Sequence, residues 1–334
     1  MISYRDAGVD LDAADAVVDS ISDLVQATWG ENVVGSFGGF AGGFRIPGSY
    51  VDPILMMSTD GIGTKLSLAR RLGNVDGVGF DLVAMVVDDL AAAGAEPLAL
   101  TDYIAVGKLD PGEVISIVAS VAAACRSVGV ALIGGETAEH PGTLPAEALD
   151  VAAAAIGVAE GRSLFDVDAI EAGDVLVGVA SPNLRSNGFS LVRAIVGDAE
   201  ADVSVDGQPL ADLLIAPSVI YAPAAVAARS QAKAFVHVTG GGLVGNLPRV
   251  LPADLGAAVD DQSWTTPAIF DYLQETGDVS TEEMRRVFNM GIGFVAVCSP
   301  DRAAAVEAQF SKFGHTTYRI GSVTQGPEGL TYTH

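Results

Sequence analysis

The sequence predicts a mixed α/β fold, of the α+β type with mixed sheets, in two domains. Three observations carry that reading. Short apolar runs of strand length alternate with segments of helical period. Glycine-bearing turns punctuate them. The 334 residues make about two domains of roughly 150 each.

Taken in order, Ile54 to Met57 reads as a buried strand that runs into Ser58-Thr59-Asp60-Gly61, followed by a helix from Leu66 to Leu72. Asp81 to Gly94 reads as a second helix, with Leu82, Met85, Val86 and Leu90 on one face. Leu98 to Val106 reads as a strand. Pro111 opens a helix to Ser127, since proline suits a first turn. Val130 to Ile133 is a strand leading into Gly134-Gly135-Glu136, and Asp150 to Val158 another. The polar stretch from Gly161 to Gly173 marks a seam. A boundary near residue 165 divides the chain into domains 1–165 and 166–334. Beyond it come a strand at Val175–Val179, a helix from Gly188 to Ile195, and a helix before Pro217 and Pro223. Strands at Ala234–Val238 and Gly293–Val297 complete the pattern.

Composition excludes several classes. Forty-two acids against 18 Lys and Arg give a net charge of −24, so neither nucleic acid nor an anionic membrane surface is an expected partner. No run of about 18 apolar residues occurs, and no membrane-spanning helix is expected. The first residues carry acids where an export signal needs a basic patch. Cys125 and Cys298 sit in apolar surroundings and read as core thiols. Together these lead to the expectation of a cytoplasmic protein.

Glycine is in excess, 39 residues against a usual share of about 7 %, and it concentrates in four segments. Gly35 to Phe44 holds five glycines, all within the nine positions up to Gly43 and including Gly38, Gly39, Gly42 and Gly43, and reads either as a phosphate cradle or as a hinge. Ser58 to Lys65 combines a carboxylate (Asp60), glycines at 61 and 63, the Thr64 hydroxyl and the Lys65 cation, which together suit a metal and a phosphate. Asp88-Asp89 sits in an apolar helix. A Mg²⁺ ion would neutralise the pair, or Asp88 would face solvent or serve a hydrogen bond. Gly134 to Gly142 places Glu136 where Asp60 stands after its strand, so that the two are expected to converge on one ion. In the second half, Arg185-Ser186-Asn187-Gly188 and His237 to Gly242 offer donors to anionic groups.

These segments, kept in order, resemble the phosphoribosylformylglycinamidine cyclo-ligase family, the aminoimidazole ribonucleotide synthetases. The resemblance runs through Ser3 to Asp10, the glycine segment, Thr59 to Lys65, Gly79 to Met85, Gly94 to Leu98, Asp102-Tyr103 and Gly107 to Leu109. It continues through Gly134 to Glu139, Ser186 to Arg193, His237 to Gly242 and Phe288 to Gly293, nearly the whole chain. It implies a homodimer whose N-terminal domains pair their sheets into a shared barrel. It implies ATP and Mg²⁺ as cofactors, formylglycinamidine ribonucleotide as substrate, and ring closure through an iminophosphate with release of ADP and phosphate.

Carried onto this sequence, the resemblance implies Asp60, Asp89 and Glu136 for Mg²⁺. It implies Gly38, Gly39, Gly42, Gly43, Asp60, Gly61, Gly63, Thr64 and Lys65 for the nucleotide. Arg185, Ser186, Asn187, Gly188, Gly240, Gly241 and Gly242 would line the substrate, with His237, Lys65 and Asn187 as the catalytic set. The chain departs from the family pattern at three places. Arg185 replaces a common histidine, Asp88 replaces an asparagine, and Ala27 to Asn32 lacks the usual basic residues. Related readings are thiamine-monophosphate kinase, which tends to show Gly-Gly-Asp where Gly134-Gly135-Glu136 stands, and selenophosphate synthetase, which needs a reactive cysteine near its glycine loop. Hydrogenase-maturation proteins and a non-catalytic nucleotide-binding protein on the same scaffold complete the alternatives.

Overall fold

The computed structural model describes residue 8 and residues 10–161, 164–197, 203–326 and 329–333. The motif stretch Ser3 to Ala7, with Val9, lies outside the described residues.

The helix α1 (Leu11–Gln26) begins at Asp10, whose carboxylate accepts from Ala13 N and satisfies a free first-turn donor. A small hairpin follows, β1 (Val33–Val34) with β2 (Gly43–Phe44), and the five-glycine segment forms its tip. Next come β3 (Pro53–Gly61), α2 (Lys65–Arg71), α3 (Val78–Ala92), β4 (Glu96–Val106), α4 (Pro111–Val128), β5 (Ala131–Glu139) and β6 (Leu149–Glu160). The four longer strands form one sheet in the order β3-β6-β4-β5. The pair β4/β5 is parallel because α4 carries the chain back across the sheet; the other pairs are antiparallel. Both β3 and β5 are therefore edge strands, and the Ile54–Met57 run, expected to be buried, leaves Ile54, Leu55 and Met57 exposed because β3 has a neighbour on one side only.

By length and composition α4 passes for a membrane-spanning helix, against the sequence expectation. Its residues Val114, Ile117, Val121 and Cys125 lie buried in the core, where it packs on α1 and α3. Burial pushes the Cys125 thiol up to about 12 and Cys298 up to about 11. Both are free, buried thiols.

The second half contains β7 (Val175–Ala180), α5 (Phe189–Val196), a small hairpin of β8 (Ser204–Val205) and β9 (Gln208–Pro209), α6 (Leu210–Ile215) and α7 (Ala222–Ala228). It continues with β10 (Ala234–His237), α8 (Gly242–Asn246), β11 (Leu255–Asp260), α9 (Ala268–Gly277), α10 (Thr281–Val287), β12 (Ile292–Cys298), α11 (Ala303–Lys312), β13 (Thr317–Gln325) and β14 (Leu330–Thr333). Its six-stranded sheet has the order β10-β12-β7-β13-β11-β14. All seven residues of β12 are buried, as expected of a central strand covered on both faces. Alternate residues serve two clusters. Phe294 and Ala296 join α3, α7 and α11, whereas Val295 and Val297 join Leu243 and Leu247. One apolar core thus runs from the first sheet through α3 into the second.

The polar segments Ser58–Gly61 and Gly134–Glu139 are not turns after strands, as the sequence suggested, but the C-terminal parts of β3 and β5. An edge strand tolerates polar and glycine residues because part of it faces solvent.

Candidate active site

Helix α3 lies between the two sheets, and its last turns carry the site. Asp89, half exposed, has Oδ1 2.8 Å from His237 Nδ1 at the end of β10, and its Oδ2 accepts from Ser58 Oγ at 3.3 Å. Asp60, on β3, accepts from its neighbour Gly61 N at 2.7 Å. Desolvation and the charge of Asp89 push Asp60 above the usual carboxylate range, with the Gly61 N–H opposing. Asp89 shifts the other way. Burial raises it, but the hydrogen bond and charge of His237, Ser58 and Arg249 together hold it below the usual range.

The turn Thr239–Gly242 follows His237. The buried Asn246 amide secures it by donating to Gly240 O at 3.2 Å and Gly242 O at 2.8 Å. Asn187 faces Gly240 and donates to Met85 Sδ on α3 at 4.0 Å. Ser186 Oγ donates to Ile62 O at 2.6 Å, and Thr64 Oγ1 lies 3.4 Å from Ser190 Oγ. Asp60 to Thr64, Asp89, Ser186 to Gly188 and Gly240 to Gly242 therefore meet at the junction of the two halves.

Several expectations need correction. Lys65 does not reach out to phosphate. It is buried, and its Nζ donates to Asp81 at 2.8 Å, Arg185 O at 3.0 Å and Ala216 O at 2.7 Å, which uses all three of its donors. Arg185 does not line the substrate: its guanidinium is fully buried, 2.8 Å from Asp88 and stacked over the Tyr221 ring at 4.8 Å. Of the roles open to Asp88 it takes the hydrogen bond rather than solvent or metal, accepting from Arg185 and from the N–H groups of Tyr221 and Ala222, each at 2.8 Å. The two departures from the family pattern on these elements are thus partners of one another. His237 is enclosed, with both ring nitrogens facing carboxylates, so it positions Asp89 rather than touching substrate.

Glu136 cannot share an ion with Asp60 within one subunit. The register Asp60–Ala153–Asp102–Gly135 runs across all four strands, so three spacings, about 14 Å, separate the two positions. Glu136 also pairs with Tyr103, one residue out of that row, and so belongs to the opposite face.

The glycine hairpin builds a second region at the β5 edge. With α1, β4 and β5 it encloses a cavity of about 960 Å³, lined among others by Trp29, Phe37, Gly38, Gly39, Gly42 and Asp102. Gly42 is required there, because a Cβ would overlap the Ile133 backbone. Gly135 likewise leaves the space that the Asp102 carboxylate occupies. Asp102 Oδ2 is buried without a hydrogen-bond partner among the described residues, and burial pushes the acid up to about 7.

Sequence reasoning gave no role to Asp102, Asn246 or Arg249. Only Asp102 carried a signal, as an acid inside an otherwise apolar strand. With Lys65 and Arg185 committed internally, the exposed Arg249 is the cation whose field reaches Asp89.

For Mg²⁺, no cage of three His, Cys, Asp or Glu side chains gathers among the described residues. The Asp60–Asp89 pair nonetheless fits a hard cation. Asp60 is raised in part by the neighbouring negative charge, which a cation would relieve, and Mg²⁺ takes one or two carboxylates plus phosphate oxygens and water.

The comparisons with known proteins agree along the chain. The family described as "AIR synthase related protein" matches with its N-terminal domain at residues 49–159 and its C-terminal domain at residues 171–332. The phosphoribosylformylglycinamidine cyclo-ligase of Paraburkholderia phymatum is 46% identical over 336 residues, covering 99% of this chain and 95% of that protein. The cyclo-ligase of Burkholderia multivorans is also 46% identical, covering 99% and 96%. Among solved structures, thiamine-monophosphate kinase from Stenotrophomonas maltophilia superposes with a TM-score of 0.69 at 19% identity, covering 94% of this chain and 95% of that one. Hydrogenase maturation protein HypE in complex with ATP superposes at 0.68 and 18%, covering 94% and 90%. These two share the fold.

Proposed function

Because the chain belongs to the phosphoribosylformylglycinamidine cyclo-ligase family, we propose that it is an ATP-dependent ligase of purine biosynthesis. It closes formylglycinamidine ribonucleotide to aminoimidazole ribonucleotide and releases ADP and phosphate. The observation that carries this reading over the kinase alternative is 46% identity along 99% of the chain, against 19% for the kinase that shares the fold.

The chemistry asks for positioning more than for a protein nucleophile. The formamide oxygen is a poor leaving group until ATP phosphorylates it. The substrate's own nitrogen then attacks that carbon and expels phosphate, closing the ring. Asp60 and Asp89 would hold Mg²⁺, which would neutralise the phosphate oxygens of ATP. Ser186 (whose hydroxyl is given to Ile62 O), Asn187, Gly188 and the Gly240–Gly242 turn face the same junction and supply backbone N–H groups and the Asn187 amide to the ribonucleotide and the transferred phosphoryl group. His237 fixes the Asp89 carboxylate through Nδ1. The glycine hairpin and its cavity take the nucleotide.

In one subunit the hairpin and Asp60 stand at opposite edges of the sheet. A homodimer whose N-terminal sheets close into a shared barrel removes this separation, by setting the β3 edge of one protomer beside the β5 edge of its partner. Leu55 and Met57, 56% and 73% exposed on one face of β3, supply apolar surface for that contact. The two free buried thiols and the acidic balance suit a cytoplasmic enzyme with a small-molecule substrate and neither nucleic acid nor membrane as partner.

The test is ATP hydrolysis measured with and without formylglycinamidine ribonucleotide. Strict dependence on the ribonucleotide is expected. Phosphorylation of thiamine monophosphate, or ATP binding without turnover, would overturn the reading. Asp60→Asn is expected to abolish Mg²⁺-dependent turnover with an unchanged far-UV CD spectrum. Near-normal activity in that variant would remove Asp60 from the metal site.

A further inference from the structure

Helix α3 presents two fully buried acids, seven residues apart and so on one face, to the C-terminal half: Asp81 and Asp88. Asp81 takes Lys65 Nζ at 2.8 Å together with Ser218 N at 3.0 Å and Ser218 Oγ at 2.5 Å. Asp88 takes Arg185 and the backbone N–H groups of Tyr221 and Ala222. Arg185 is held by its backbone and by both terminal guanidinium nitrogens, its Nε being buried without a hydrogen-bond partner among the described residues. Its N donates to Asn183 Oδ1 at 2.9 Å, its O accepts from Lys65, and its Nη1 lies 3.4 Å from Gly293 O. It adopts φ +58°, a left-handed conformation uncommon for a residue with a Cβ, and leads directly into Ser186-Asn187-Gly188.

The same Asp88 carboxylate stands 3.9 Å from His237 Nε2, a buried atom with no hydrogen-bond partner among the described residues. The ring is drawn by Asp89 on one side and faces Asp88 on the other. An Asp88 whose charge was not matched by Arg185 would compete with Asp89 for the ring. A fully buried ion pair is a weak source of stability, because desolvating both ions opposes their attraction.

We propose that the Arg185–Asp88 pair is a positioning clamp for the ribonucleotide half of the site. From one buried point it fixes the Ser186–Gly188 turn and keeps His237 directed at Asp89. The clamp rests on the ligase reading. It predicts that the pair acts as a unit and that its loss is felt first by the ribonucleotide, through the turn, and less by ATP, which feels it only through Asp89 because its hairpin lies across the N-terminal sheet.

The experiment compares kcat and both KM values in Arg185→Gln, Asp88→Asn and the double variant, with near-UV CD and thermal melting as controls of folding. Each single variant is expected to lower kcat at least tenfold and raise KM for formylglycinamidine ribonucleotide at least fivefold, with a smaller rise in KM for ATP. The double variant leaves no unmatched buried charge and keeps amides able to bond each other and the Tyr221 and Ala222 N–H groups. It is expected to fold even where a single variant does not, and to recover most of kcat. Single variants that melt lower but keep wild-type kcat and KM, or a double variant no better than the worse single, would overturn the clamp. Wild-type turnover with the ribonucleotide separates the two proposals: a silent wild type overturns the ligase reading, and unaffected variants beside an active wild type overturn the clamp alone.

Discussion

Lys65 and Arg185 are cations that the sequence offers to phosphates, and each is spent inside the protein on an acid of α3. Their residue types suit either use; only the position of α3 against the second half decides between them. Burial lowers the Lys65 pKa and raises that of Asp81, each opposed by the charge of its partner. Lys65→Met leaves Asp81 buried without a cation and should cost about 3–5 kcal/mol in urea denaturation, whereas Lys65→Met with Asp81→Leu should cost much less. Asp102 gives a pH prediction. Its folded pKa of about 7 lies above the unfolded value near 3.9, so between these pH values the folded state holds a proton that the unfolded state has lost. This acid's contribution is fully present below about pH 4 and is lost as pH rises through 7. Asp102→Asn should therefore gain in melting temperature relative to wild type as pH increases from 4 to 8. A constant difference across that range would count against an isolated, buried acid.

At the scale of elements, the sequence resolves the strands and helices from β3 to β6 well but misses α1 and the β1/β2 hairpin. The apolar runs around Leu98, Val130 and Val151 lie in strands that face the core, whereas the run around Ile54 lies in an edge strand whose apolar side chains are largely exposed. It underestimates how far β3 and β5 continue, since Ser58-Thr59-Asp60-Gly61 and Gly134-Gly135-Glu136 have turn composition but edge-strand geometry. Periodicity does not single out α9, α10 and α11, which are short and bury only one face. The glycine segment is the tip of a hairpin roofing a cavity, neither a free hinge nor a loop beside Asp60. Trp29 lines that cavity, and Trp264 belongs to the second half. ATP should change the intrinsic fluorescence of wild type and of Trp264→Phe but not of Trp29→Phe. A response that survives in Trp29→Phe and vanishes in Trp264→Phe would move the nucleotide away from the hairpin.

At the scale of the molecule, two edge strands and an exposed apolar face leave the first sheet incomplete on its own. Met57→Lys places a charge on that face. It should yield monomers in sedimentation velocity and lose most ligase activity, while the melting of the isolated protomer changes little. A monomeric variant with full activity would show that one subunit holds a whole site. The sequence by itself determined the mixed α/β class and the family, since those rest on local patterns and on ordered motifs. The tertiary structure alone decided which charges are free. Asp60 and Asp89 come together, Glu136 falls on the far edge and other face, and Lys65 and Arg185 vanish into ion pairs. The physical reason is that a charge's role depends on which opposite charge it meets and how much water it keeps, and both are set by contacts between residues distant in the chain.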